Sequence, residues 1–132
     1  MSEENVEIVR RAFATFNRRD KAAWLADLDP ACEAFPTAEW PENQPVRGAE
    51  ACWDFYVRNV GAFEEGPFEL REIRDAGPHK VIANHHREMR GKSSRATVVY
   101  DLWAVVTLRG GKQTRWEWFN TRAEALEAVG LS

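Results

Sequence analysis

The chain is predicted to be an α+β domain, with three N-terminal helices packed in a curved antiparallel sheet and a short C-terminal helix closing it. The strongest observation behind this is the stretch 96–120. Its first half, Val98 to Leu108, is rich in β-branched and aromatic residues and lacks a 3.6-residue period, so it reads as a strand. Gly110-Gly111 then supplies the positive φ angles of a tight hairpin. A second strand follows in which Thr114, Trp116, Trp118 and Asn120 alternate with Arg115, Glu117 and Phe119. Both faces carry bulk, so both need cover: helices on one side, a partner subunit on the other. Amphipathic helical spacing near the start of the chain is the second observation. The third is size, since 132 residues form one domain that can bury about two-thirds of its unfolded surface without a metal or disulfide.

Residues 3–19 place Val6, Val9, Phe13 and Phe16 on one helical face, with acids in the first turn and basic residues in the last. Asp20 caps a second short helix carrying Trp24, Leu25 and Leu28, which Asp29-Pro30 ends. Residues 32–35 are a short strand. The next ten residues, 36–45, hold three prolines and read as a loop containing Trp40, as either a packed plug or a pocket lid. A third helix spans 49–63, with Cys52, Phe55, Tyr56, Val60 and Phe63 on one face, and Glu64-Glu65-Gly66-Pro67 stops it. Strands at 68–75 and 80–89 flank the turn Ala76-Gly77-Pro78. Thr121-Arg122-Ala123-Glu124 has capping-box spacing and opens a last helix that turns Leu126 and Val129 inward and stops at Gly130. The element order is ααβαββββ.

Composition excludes several function classes. A net charge of −3 with both signs interspersed leaves no basic stripe for nucleic acid. No apolar run approaches the roughly 20 residues that span a bilayer, which argues against a membrane partner. The acidic, polar N-terminus is unlike a secretory signal, so the expected location is the cytoplasm. Cys32 and Cys52 fall in different elements without metal-ligand spacing and read as buried thiols. No metal or cofactor is expected.

Five segments carry a resemblance that covers nearly the whole chain: Phe16-Asn17-Arg18-Arg19-Asp20, Leu28-Asp29-Pro30, Val46-Arg47-Gly48, residues 107–112, and the tail 122–131. With this element order, the sequence resembles the cone-shaped domains shared by nuclear transport factor 2 (NTF2), ketosteroid isomerase, limonene epoxide hydrolase and the SnoaL-like polyketide cyclases, and the SnoaL-like branch in particular. The resemblance implies one cone over residues 1–132, a pocket inside it and homodimerisation through the outer sheet face. Isomerase chemistry needs a carboxylate base and two protonated donors. In the matching positions this chain has Phe35, Ala12 and Ala104, so that activity is not expected, and the Asp-Arg-Asp trio of the epoxide hydrolases is not found.

The same resemblance turns Val81, Ala83, His85, Arg87 and Met89 into the cone, with Tyr100, Leu102, Ala104 and Val106 on the next strand and Trp116, Trp118 and Asn120 on the last. A slip of one residue would exchange these for His86, Glu88, Asp101, Trp103, Arg115, Glu117 and Phe119. On the favoured register His85 and Arg87 share a face, and the guanidinium disfavours protonation of the imidazole, which leaves it able to accept a proton. His85 is then a general base, with Arg87, Tyr56 and Asn120 as polarising donors. Trp24, Phe35, Trp40, Phe55, Met89, Tyr100, Leu102, Trp116 and Trp118 are the expected pocket walls, although Trp116 and Trp118 equally suit a core. His85 and His86 point to opposite faces and cannot chelate one ion. The expected function is cofactor-independent acid/base chemistry (cyclisation, isomerisation, dehydration or hydration) on a small apolar or aromatic polyketide-like molecule. The alternative is a non-catalytic binding or dimerising domain.

Overall fold

The computed structural model describes residues 2–40, 42–60, 63–64, 69–91 and 95–131. Helix α1, Ser2–Asn17, follows the predicted apolar spacing and buries Val9, Ala12, Phe13 and Phe16. Arg19, at φ 55°, breaks it. Asp20 caps α2, Lys21–Ala26, by accepting from the Ala23 N–H at 3.2 Å. This helix is shorter than expected: Leu28 is the first residue of strand β1, Leu28–Phe35, because Asp27 caps the helix before Pro30 is reached.

Two short strands are not predicted by the sequence: β2, Val46–Arg47, pairs antiparallel with β1, and β3, Phe63–Glu64, pairs antiparallel with Arg90 and Gly91. Between them α3, Ala49–Val60, buries Cys52, Phe55 and Tyr56. It ends before Phe63, which belongs to β3 and not to the helix that the sequence predicts over 49–63. Strands β4, Glu69–Asp75, β5, Lys80–Gly91, β6, Thr97–Arg109, and β7, Lys112–Phe119, follow. Gly110 and Gly111, at φ 58° and 78°, make the two-residue turn between β6 and β7. The expected strand start at Phe68 and residues 65–67 of the expected helix stop lie outside the described residues.

The sheet runs β2-β1-β7-β6-β5-β3, with β4 also on β5. It is curved and mixed rather than wholly antiparallel, because β1 lies parallel to β7. A register shift between Leu28 and Glu33 accommodates Pro30 in β1, where a regular ladder would need the N–H that proline lacks. Of the four helices among the described residues, only α1 and α2 precede the first strand; α3 follows β1 and β2.

The sheet has two apolar layers. On the inner side, α1, α2 and α3 meet Cys32, Ala34, Val81, Ala83, Leu102, Ala104, Val106, Trp116 and Trp118. On the outer side α4, Arg122–Ala128, opens with the predicted capping box and packs Ala125 and Leu126 against Ile82, Trp103 and Val105. Trp103, on the outer sheet face through which the family resemblance implies dimerisation, is therefore covered by this chain's own last helix and is 9% exposed.

Candidate functional site

The strand pairing fixes which side chains enter the cone. Along β5 the residues opposite Val106, Ala104, Leu102 and Tyr100 of β6 are Val81, Ala83, His85 and Arg87, and along β7 Trp116 and Trp118 lie opposite Val106 and Ala104. Cross-strand partners point to the same side, so one alternating set gathers on the concave face. Between that face and the helices lies a cavity of about 60 Å³. At about 10–15 Å³ for each water-sized sphere, this is room for four to six waters.

Aromatic rings make most of the wall. Phe13 and Phe16 enter from α1 and Trp24 from α2, while Trp40 closes the cavity from the loop 36–45 and Trp116 and Trp118 line the strand side. Ala12 also borders it, so the position matched to an isomerase donor faces the cavity with no polar group. Trp40 stacks on Phe55, with ring centroids 5.4 Å apart and planes within 9°. The loop is fastened at two points: Glu42 accepts two hydrogen bonds of 2.7 Å from Arg58 of α3, and Asn120 Nδ2 donates to Glu39 at 2.9 Å.

The polar lining is sparse: Tyr56 and Asn59 from α3, His85 and Arg87 from β5, and Tyr100 from β6. His85 and Arg87 are each 2% exposed. The His85 ring meets the Trp118 ring edge-on at 4.9 Å and tilts against Phe13 at 5.8 Å. Burial, then the Arg87 charge, then His86 push the His85 pKa down to about 3, so the imidazole is neutral around pH 7. Tyr56 accepts a hydrogen bond from Trp118 Nε1 at 2.9 Å, and burial raises the phenol's pKa well above its ordinary value, keeping it protonated. Trp116 Nε1 is occupied differently, donating to Gln113 Oε1 at 2.8 Å within the core. A neutral proton acceptor, a protonated phenol and a guanidinium thus border one apolar space. Such a site can take a proton from an acidic C–H or O–H and stabilise the oxygen left behind.

Of the thirteen expected site residues, nine border the cavity: Trp24, Trp40, Tyr56, His85, Arg87, Tyr100, Leu102, Trp116 and Trp118. Three do not. Asn120 follows the end of β7, where alternation no longer governs direction, and its exposed side chain turns to Glu39. Phe35 lies on the other face of β1 under the Arg115 guanidinium, 4.2 Å from its ring centroid. Phe55 is fully buried behind Trp40. The Met89 side chain lies outside the described residues. The slipped set is elsewhere: Asp101 is exposed and accepts from Asn84 at 2.9 Å, while Glu117 faces Arg115 at 3.5 Å. Asn59 was missed, although one helical turn after Tyr56 it had the spacing to reach the same space. Among the described residues no group of three His, Cys, Asp or Glu could hold a metal ion, and no helix is long and apolar enough to cross a membrane.

A helical layer closing a curled mixed sheet over an aromatic cavity defines the NTF2-like class of α+β domains, and comparison with solved structures agrees. An NTF2-like protein from Burkholderia xenovorans LB400 is 25% identical over 98% of this chain and 98% of its own, with a TM-score of 0.75. Bal32a, from a soil-derived mobile gene cassette, is 18% identical, covers 97% of each chain and superposes with a TM-score of 0.81. TerC, co-crystallised with polyporic acid, is 21% identical over 96% of this chain and 98% of its own, with a TM-score of 0.75. The last two likenesses concern the fold alone. Residues 9–116 match the SnoaL-like domain model, and the chain belongs to that family. None of the curated proteins matches it significantly.

Proposed function

We propose that this chain is a cofactor-independent acid/base enzyme acting on a small ring compound held in the cone. The observation that carries the reading is the pairing of a neutral buried imidazole with a guanidinium on the wall of an otherwise apolar cavity. Bulk protons do not reach His85 at neutral pH, because the cation is costly to bury beside Arg87. Transfer from a substrate is different: it creates an imidazolium and an enolate or phenolate together, so the cavity gains no net charge. Arg87 and the Tyr56 hydroxyl then stabilise the new oxyanion. Aldol-type cyclisation, isomerisation and dehydration beside a carbonyl all begin with such a transfer, and hydration is that dehydration in reverse.

The general test is exchange of the α-protons of small cyclic ketones in D2O, followed by NMR. Protein-catalysed exchange that falls by roughly 10²–10⁴ in His85→Gln supports the base. Wild-type exchange no faster than buffer removes the catalytic reading. A second reading, a non-catalytic binding domain, is favoured by the depressed basicity of His85, since an efficient base has a pKa nearer the working pH. Under that reading His85→Gln changes affinity by about one hydrogen bond, roughly 1 kcal/mol, with no rate to lose.

Two further parts belong to this proposal: one domain over residues 1–132, and a cytoplasmic homodimer paired through the outer sheet. The outer strip left open by α4 carries Val99, 53% exposed, with Glu88 opposite it. Dimerisation there would shield an apolar side chain that the monomer leaves in water.

A further inference from the structure

His85 and Arg87 sit on β5, yet another side of the same cavity holds two hydrogen-bond donors, Trp40 and Tyr56, with no acceptor found among the described residues. Trp40 lines the cavity, and its indole N–H is shielded from water with no hydrogen-bond partner among the described residues. Such an orphaned buried donor costs about 1–3 kcal/mol and calls for an explanation. The second donor is Tyr56. Trp118 Nε1–H occupies a lone pair of its oxygen, so the phenol's own proton is directed elsewhere, and no hydrogen bond donated by it is found among the described residues. Receiving a hydrogen bond makes that O–H a stronger donor in turn. The two rings are neighbours, with centroids 6.2 Å apart at 68°, and both border the Trp118 ring, at 5.9 and 6.2 Å.

We propose that Trp40 Nε1–H and Tyr56 Oη–H together form a binding subsite for one acceptor oxygen, the carbonyl or phenolate oxygen of a single-ring ligand. Both donors are uncharged, so a neutral carbonyl oxygen satisfies them without a charge on the ligand. The ligand is oriented by it: an oxygen at the lid end, with the group that exchanges a proton toward His85. Trp118 is a positioning residue, since its N–H fixes which way the Tyr56 proton points. The inference rests on the reading of the cavity as a ligand site but not on catalysis.

The test uses two probes of one shape, cyclohexanone and methylenecyclohexane, which differ in an oxygen against a CH2. Binding to the full chain is measured by NMR titration, and the carbonyl stretch of ¹³C-labelled cyclohexanone is read in the bound state by infrared difference spectroscopy. The expected result is a bound stretch below its frequency in hexane, rising toward the hexane value in Tyr56→Phe and in Trp40→Phe. Each substitution should lower the affinity ratio of ketone to alkene about fivefold, one hydrogen bond's worth. The alkene's own affinity reports any change in space when Trp40 shrinks, so lost bulk is separated from the lost donor. If both probes bind wild-type protein while the stretch matches hexane and neither substitution moves the ratio, the subsite is wrong and the ligand cavity stands. If neither probe binds, the cavity reading falls and the subsite with it.

Discussion

Acid should destabilise this protein through His85 before its carboxylates are protonated. The imidazole has a folded pKa of about 3, set mainly by burial and secondarily by Arg87, against 6.5 when exposed. The folded value lies below the unfolded one, so the unfolded chain takes the proton first. Stability is therefore full above about pH 6.5 and declines as pH falls, with the loss complete only near pH 3. One proton corresponds to about 1.4 kcal/mol per pH unit, so at pH 5 the loss from this residue is about 2 kcal/mol. Urea unfolding at pH 7, 6 and 5, for wild type and His85→Gln, isolates the contribution, because glutamine does not titrate and other groups cancel in the difference. Wild type should lose about 2 kcal/mol more than the variant between pH 7 and 5. Equal pH dependence in the two proteins, or an NMR titration of His85 with a midpoint near 6, would refute the reasoning.

Three further outcomes are expected. Trp118→Phe removes the donor to the Tyr56 hydroxyl at a buried site, and should cost about 1–3 kcal/mol in urea unfolding, less in a Tyr56→Phe background where no oxygen remains to be left unpaired. Arg58→Met releases Glu42, so amide hydrogen exchange over residues 37–43 should quicken while the melting temperature changes little, because the pair is exposed. Val99→Lys should shift sedimentation from dimer to monomer without loss of stability, whereas Trp103→Glu should destabilise the monomer itself by several kcal/mol, since its ring lies under α4. Wild-type protein sedimenting as a monomer at micromolar concentration removes the dimer.

The parts of the structure legible in the sequence were those written in local chemistry. The Gly110-Gly111 hairpin, the Thr121–Glu124 capping box and the Asp20 cap each rest on residues a few positions apart. The inner face of β5, β6 and β7 was reached because period-2 alternation links every second residue once one is placed, so His85 and Arg87 followed together. Alternation fails where the ladder is irregular. The shift in β1 sends Phe35 outward beside Arg115 while Cys32 and Ala34 stay in the core, and Asn120 lies one residue past the last strand position. Parallel pairing of β1 with β7 has no local signature at all. Asn59 was passed over because a polar residue late in an amphipathic helix ordinarily faces water. The covering of Trp103 by α4 was hidden for a related reason: an exposed-looking aromatic on the outer sheet and a short distant helix reveal their contact only once the sheet is built.

The parallel pairing of β1 with β7 also governs how the cone must assemble. Asp27 and Gln113, joined backbone to backbone at 2.9 Å and again through the Gln113 side chain, are 86 residues apart, so the seam between first and last long strands closes a very large loop. The β4–β5–β6–β7 meander needs only short-range contacts and can form early. The N-terminal helices have no complete surface to bury against until β7 has taken its place beside β1. Folding should then be slow for a chain of this size, and a nascent chain on the ribosome should hold its aromatic interior open until synthesis has passed β7.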